Sequence, residues 1–180
     1  MPLLLSRASI GLLTALLLVG CSDDEPVKKD PNTDAVEQGI ADLYAGDHAT
    51  DEDSVAGACF ASELVDRAGV DGLRDAGIVT ESGGVATELP AFEEETARLW
   101  VEAQFACTDY IDESTRALVA QSKGRLDPKA YADCLRGAIT DDELREAVVA
   151  SLTGAWETPE VNKLADAQAQ CSAAAVPPER

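Results

Sequence analysis

Five cysteines, a single histidine, two tryptophans and 34 carboxylates are the side chains through which this 180-residue chain could do chemistry. Beyond Cys21 come Cys59, Cys107, Cys134 and Cys171. None of them forms a Cys-x-x-Cys pair, so dithiol redox catalysis and thiolate zinc clusters lack the spacing they need. An even set of well-separated cysteines instead predicts two disulfides in an oxidising compartment. Sequence alone leaves all three connectivities open.

His48 would have to serve any Ser/His/Asp triad, yet there is no Gly-x-Ser-x-Gly elbow. One histidine also rules out a poly-histidine zinc site. His48 lies in an acidic stretch with Asp47, Asp51, Glu52 and Asp53. A calcium ion wants about six to eight oxygens in a glycine-turned loop, and neither that spacing nor that glycine is present. The stretch therefore reads as a plain acidic loop over 47–53. Ser82-Gly83-Gly84 lacks the lysine of a phosphate-binding loop and reads as a flexible connection. Glu93, Glu94 and Glu95 read as carboxylates complementing a helix start. No catalytic residue, metal or cofactor is assigned. Trp100 falls on an amphipathic segment and reads as core packing, whereas Trp156 falls between helices and is the candidate ligand platform.

Cys21 differs from the other four. It closes Leu18-Val19-Gly20-Cys21, directly after an apolar run from Ile10 to Val19 that follows Arg7. A basic start, a short apolar run and a small residue at the cut are the parts of a secretory signal. The run falls short of the roughly 20 apolar residues that span a bilayer. The stretch resembles the lipobox of bacterial lipoprotein signal peptides. That resemblance implies cleavage before Cys21 and a thioether from its sulfur to diacylglycerol. It places the chain outside the cytoplasm, lipid-anchored to the bacterial cell membrane. Residues 1–20 are then the signal peptide, and 21–34 the lipidated cysteine with a disordered acidic spacer.

Removing Arg7 from the 14 basic residues leaves 13 against 34 acidic ones, a formal charge of −21 beyond the signal segment. Such a surface repels nucleic acid and favours solubility and cationic partners. Residues 35–175 are long enough for one domain with its own core, and 176–180 read as a frayed tail.

The elements that must position these side chains are helical. Val36, Ile40, Leu43 and Tyr44 recur at helical spacing over 34–45. From Ser54 onward, Val55, Cys59, Ser62 and either Val65 or Asp66 suggest one inward face, broken at Gly69. A short helix is expected over 70–76. Pro90 reads as the first-turn proline of the next helix, with Phe92, Thr96, Leu99, Ala103, Ala106 and Tyr110 as its stripe. A further helix is expected over 111–122. Asp127-Pro128 starts the next, with Tyr131, Cys134, Leu135 and Ala138 on one face. Thr140 to Glu143 reads as a capping box, followed inward by Leu144, Ala147, Val148, Ser151 and Leu152. Thr158-Pro159 opens the last helix, where Val161, Leu164, Ala165, Gln168 and Cys171 align.

The two halves echo each other. Cys59 precedes Leu73-Arg74-Asp75-Ala76 as Cys134 precedes Leu144-Arg145-Glu146-Ala147. Ala103-Gln104 leads to Cys107 as Ala167-Gln168 leads to Cys171. Pseudo-repeats over 54–122 and 127–172 would pair Cys59 with Cys107 and Cys134 with Cys171. The expected fold is an all-α, disulfide-stapled helical bundle. The expected function is a non-enzymatic binding or interaction module of the cell envelope, held to the membrane by its N-terminal lipid. Its partner would be an envelope protein or a small ligand, not nucleic acid. Two other readings stand beside it: an envelope enzyme or accessory acting on wall polymer or peptide, and a structural or cation-binding acidic protein.

Overall fold

The computed structural model of the chain describes residues 31–177. The signal segment, Cys21 and most of the expected spacer lie outside them. Seven helices make up the described fold: α1 (Pro31–Ala45), α2 (Asp51–Asp75), α3 (Glu94–Cys107), α4 (Tyr110–Gln121), α5 (Pro128–Ala138), α6 (Asp141–Leu152) and α7 (Pro159–Ala174). The all-α expectation therefore holds. Two disulfides, Cys59–Cys107 and Cys134–Cys171, staple α2 to α3 and α5 to α7.

The first helix begins earlier than its apolar pattern indicates. Residues 31–34, expected to be spacer, form its first turn, with Pro31 leading and Asp34 near the positive helix end. Val36 and Ile40 are fully buried against α2. That contact depends on Gly57, where a Cβ would stand 2.7 Å from the Ala41 carbonyl oxygen.

The helix α2 likewise takes in part of the expected acidic loop. Thr50 caps it, accepting from the Asp53 N–H at 3.2 Å, while the Asp53 carboxylate accepts from the Thr50 N–H at 2.9 Å. Asp51, Glu52 and Asp53 are thus its first turn. Its inward face also differs from expectation. Val55 is 71% exposed and Cys59 is exposed, while Phe60, Ala61, Leu64 and Val65 face the core. The larger apolar side chains determine which face is buried, and the disulfide closes on the outer side. Gly69 holds φ at 67°, so the helix kinks there and the expected short helix follows as its continuation.

Between α2 and α3 the chain forms no regular element, yet it fills the core. Ile78 and Val79 are buried, and Phe92, also buried, donates its N–H to the Leu152 carbonyl at 2.9 Å. Pro90 therefore lies in this connection rather than in a first helical turn, which comes at Glu94 and Glu95. Ser82-Gly83-Gly84 belongs to a closed turn, not an open loop: Thr80 N–H donates to the Gly84 carbonyl at 2.8 Å. On α3 the buried positions are Ala97, Val101 and Ala103, while Leu99 is half-buried and Ala106 exposed. Trp100 meets Phe60 edge-on at 4.7 Å and Phe92 at 5.3 Å, in keeping with its reading as a packing residue.

In the second half, Asp109, Asp127, Thr140 and Thr158 each cap a helix through the side chain. Helix α4 packs on α5, α5 on α7, α7 on α6, and α6 on α3. Ala138 and Ala165, expected inward, are exposed, and Ile139 and Ala167 take the buried positions. Ion pairs link helices across the bundle: Arg67–Glu102 (α2–α3), Arg98–Glu146 (α3–α6), Arg116–Glu52 (α4–α2), Arg136–Asp112 (α5–α4) and Lys163–Glu143 (α7–α6). They are solvent-exposed, so each contributes about 0–1 kcal/mol and fixes orientation more than stability.

Candidate functional site

The end of α3 and the start of α4 face the corner between α5 and α6 across a groove of about 880 Å³. Backbone geometry creates this corner. Thr108 is extended and ends α3. Asp109 then starts α4 by accepting from the Ile111 and Asp112 N–H groups at 2.8 and 3.1 Å. Opposite, Ile139 and Thr140 are extended and turn the chain between α5 and α6.

One wall of the groove is aromatic. Phe105 and Tyr110 stack with centroids 6.1 Å apart and planes 14° from parallel. The Arg145 guanidinium lies over the Phe105 ring, 4.3 Å from its centroid. The other two cations of the groove are occupied. Arg136 donates to Asp109 at 3.1 Å and to Asp112 at 2.7 Å, and Lys163 donates to Glu143 at 2.6 Å.

The displaced carboxylates all shift in one direction. Lys163, then the Thr140 backbone and hydroxyl, holds the Glu143 carboxyl down at about 2. Burial acts to raise Asp109, but the Asp112 N–H and Arg136 outweigh it and leave its pKa lowered. Glu146 is lowered by Arg98 and Asp53 by the Thr50 backbone. Each of these carboxylates is thus held ionised. A general acid near neutral pH needs the opposite displacement. Tyr110 is pushed up, chiefly by burial. Among the described residues, no buried side-chain polar atom lacks a partner, and no cluster of three potential ligands could hold a metal.

A smaller groove of about 440 Å³ shares Tyr110 with the first and is lined by Gln104, Ser114, Tyr131 and Gln168. Gln168 donates to the Ser114 hydroxyl at 3.5 Å. Both Ala-Gln pairs of the sequence echo therefore play the same part: Ala103 and Ala167 are buried, and Gln104 and Gln168 line this groove.

Among the residues singled out from sequence, the four later cysteines are joined as the echo implied, and Cys21 lies outside the described residues. Trp156, the candidate platform, is 64% exposed in the turn between α6 and α7 and lines neither groove. His48 is exposed in the turn before α2. Sequence reasoning missed Phe105 and Arg145. They lie 40 positions apart and meet only because α6 packs on α3. The one available signal was Arg145 standing in the repeated Leu-Arg-x-Ala segment.

Fold and cysteine pairing define a class: a small, acidic, all-α domain stapled by two disulfides, fitted to an oxidising, extracytoplasmic setting. No helix among the described residues is long and apolar enough to cross a membrane. Beyond that class, the chain matches no family model, no curated protein and no solved structure.

Proposed function

We propose that this protein is a lipid-anchored envelope lipoprotein whose helical domain is a non-enzymatic binding module, with the α3/α4–α5/α6 groove as its docking site. The observation that carries this reading is the stacked Phe105–Tyr110 wall, with the Arg145 guanidinium over Phe105, in the groove of about 880 Å³. Aromatic faces and a pre-oriented guanidinium are enriched where proteins bind partners. The displaced carboxylates are all lowered, which favours binding over acid–base catalysis. The partner is an envelope protein or a small ligand. Nucleic acid is disfavoured by the formal charge of −20. The membrane is engaged through lipid on Cys21.

Two measurements test this. A photo-crosslinking residue at Ala106, exposed in the groove, should capture an envelope species in living cells. The same residue at Gln38, exposed on α1, should not. Equal capture from both, or none from Ala106, would remove the groove as a docking site. For the anchor, wild-type protein should incorporate labelled fatty acid and Cys21→Ser should not.

A further inference from the structure

We infer that the groove receives a carboxylate group, and that Arg145 is the residue that takes it. This rests on reading the groove as a binding site. Cations of this acidic chain generally sit on carboxylates: Arg67, Arg74, Arg98, Arg116, Lys129, Arg136 and Lys163 all do. Arg145 does not. Asp141 and Asp142 precede it by four and three residues, the spacing at which helical side chains pair. It pairs with neither among the described residues and instead sits over the Phe105 ring, its Cζ 4.3 Å from the centroid.

That posture has a chemical consequence. The ring contact is a charge–ring attraction that uses no carboxylate, so the N–H fork of Arg145, which matches a carboxylate in bidentate fashion, keeps donors to offer. The ring fixes the side chain beforehand, so less rotamer freedom is lost on binding. Arg136 and Lys163 are already neutralised by Asp109, Asp112 and Glu143, so Arg145 is the cation of this groove with donors to spare. A single open cation in this groove, within a chain of charge −20, favours a monoanion over a phosphate dianion, which meets twice the surrounding repulsion. The Phe105–Tyr110 wall suits an apolar or planar body attached to that carboxylate. The volume of about 880 Å³ is at the upper end of small-ligand sites. Such a group is the C-terminus of a peptide or a free organic acid.

The test is nuclear magnetic resonance titration of the lipidated protein in detergent micelles. The probes are acetyl-Ala-Ala-Phe as the free acid, the same peptide as its C-terminal amide, 3-phenylpropanoate, and inorganic phosphate. The free acid should shift the Arg145 Nε–H and Phe105 amide signals and bind at least tenfold tighter than the amide. Arg145→Gln should abolish that preference while keeping the helical spectrum. Binding by 3-phenylpropanoate as well would support the inference with a free acid as source. Binding by the peptide acid alone would support it with a peptide terminus. Equal binding of acid and amide would overturn the role of Arg145 while leaving the binding groove standing. Phosphate binding without carboxylate binding would overturn the ligand class. No response to any probe would overturn the inference, as would an Arg145→Gln protein that loses only thermal stability with the acid-to-amide ratio unchanged.

Discussion

Replacing each disulfide by two alanines gives the sharpest test of how this fold is held together. Cys59–Cys107 and Cys134–Cys171 close loops with sequence separations of 48 and 37 residues. The chain-entropy relation assigns each about 4 kcal/mol, and the two differ by only about 0.2 kcal/mol because the dependence on loop length is logarithmic. Burial separates them instead. Cys171 is 1% exposed among core residues, whereas Cys59 is exposed. Removing the inner sulfur leaves unfilled volume and adds about 1 kcal/mol. Cys134→Ala/Cys171→Ala should therefore lose about 5 kcal/mol and Cys59→Ala/Cys107→Ala about 4 kcal/mol, against a total of roughly 5–15 kcal/mol for a domain. Urea unfolding followed by far-ultraviolet circular dichroism reads both losses. The slope against urea should rise in each variant, because the uncrosslinked denatured chain exposes more surface. Partial reduction with trapping should label Cys59 and Cys107 first. A loss below about 1 kcal/mol for both variants would refute the view that crosslinks carry much of the stability of this aromatic-poor core. A greater loss for the outer pair would refute the burial term.

Three further outcomes follow from individual contacts. Leu64→Ala, at a fully buried position, should cost about 2–5 kcal/mol, whereas Val55→Ala, at 71% exposure, should stay within about 0.5 kcal/mol; the reverse order in thermal melts would return Val55 to the inner face of α2. Thr50→Ala removes the cap of α2 and should cost about 1 kcal/mol, and an unchanged melting temperature would mean that the α2 start frays without consequence. Glu143 is held at about 2 against an ordinary 4.5, so its contribution is complete above pH 4.5 and fades as pH falls toward 2; Glu143→Gln should flatten the acid limb of melting temperature against pH in that window, and identical profiles would discount the Lys163 pair.

Much of the fold was legible in the sequence because helix signals here are local. The Thr140 capping box and the Asp127-Pro128 and Thr158-Pro159 starts are each complete within a few residues, and all three open helices in the structure. The misjudged features depend on distant partners. Val55 and Cys59 fit an inward stripe by spacing alone, but Phe60 and Leu64 had the better partners in α1 and in Trp100. Pro90 resembles a helix start, but Phe92 is tied to the end of α6 through the Leu152 carbonyl, which keeps the chain irregular until Glu93. The groove was the least legible part. Trp156 drew attention as an aromatic between helices, yet it sits apart on an exposed turn. The aromatic that matters, Phe105, looked like an ordinary position on a helix, and only the packing of α6 on α3 brings Arg145 to it.

The internal echo bears on why the groove lies where it does. The packing order repeats with other bounds than 54–122 and 127–172: α1 packs on α2 and α2 on α3, as α4 packs on α5 and α5 on α7, so α1 joins the first half and α4 the second. In each, a disulfide joins the second helix of that series to the third. Leu73 and Leu144 are both buried, as are Ala103 and Ala167. The arginines after those leucines diverge. Arg74 pairs with Asp71 on its own helix, while Arg145 leaves Asp141 and Asp142 and crosses to Phe105 of the other half. The position equivalent to Phe105 in the second half is Ala169, so the aromatic shelf exists on one side only. The halves thus share their staples and core positions but not this pair of residues. A requirement of packing alone would apply to both halves equally. The asymmetry at Arg145 and Phe105 is therefore an observation in favour of the proposed binding role.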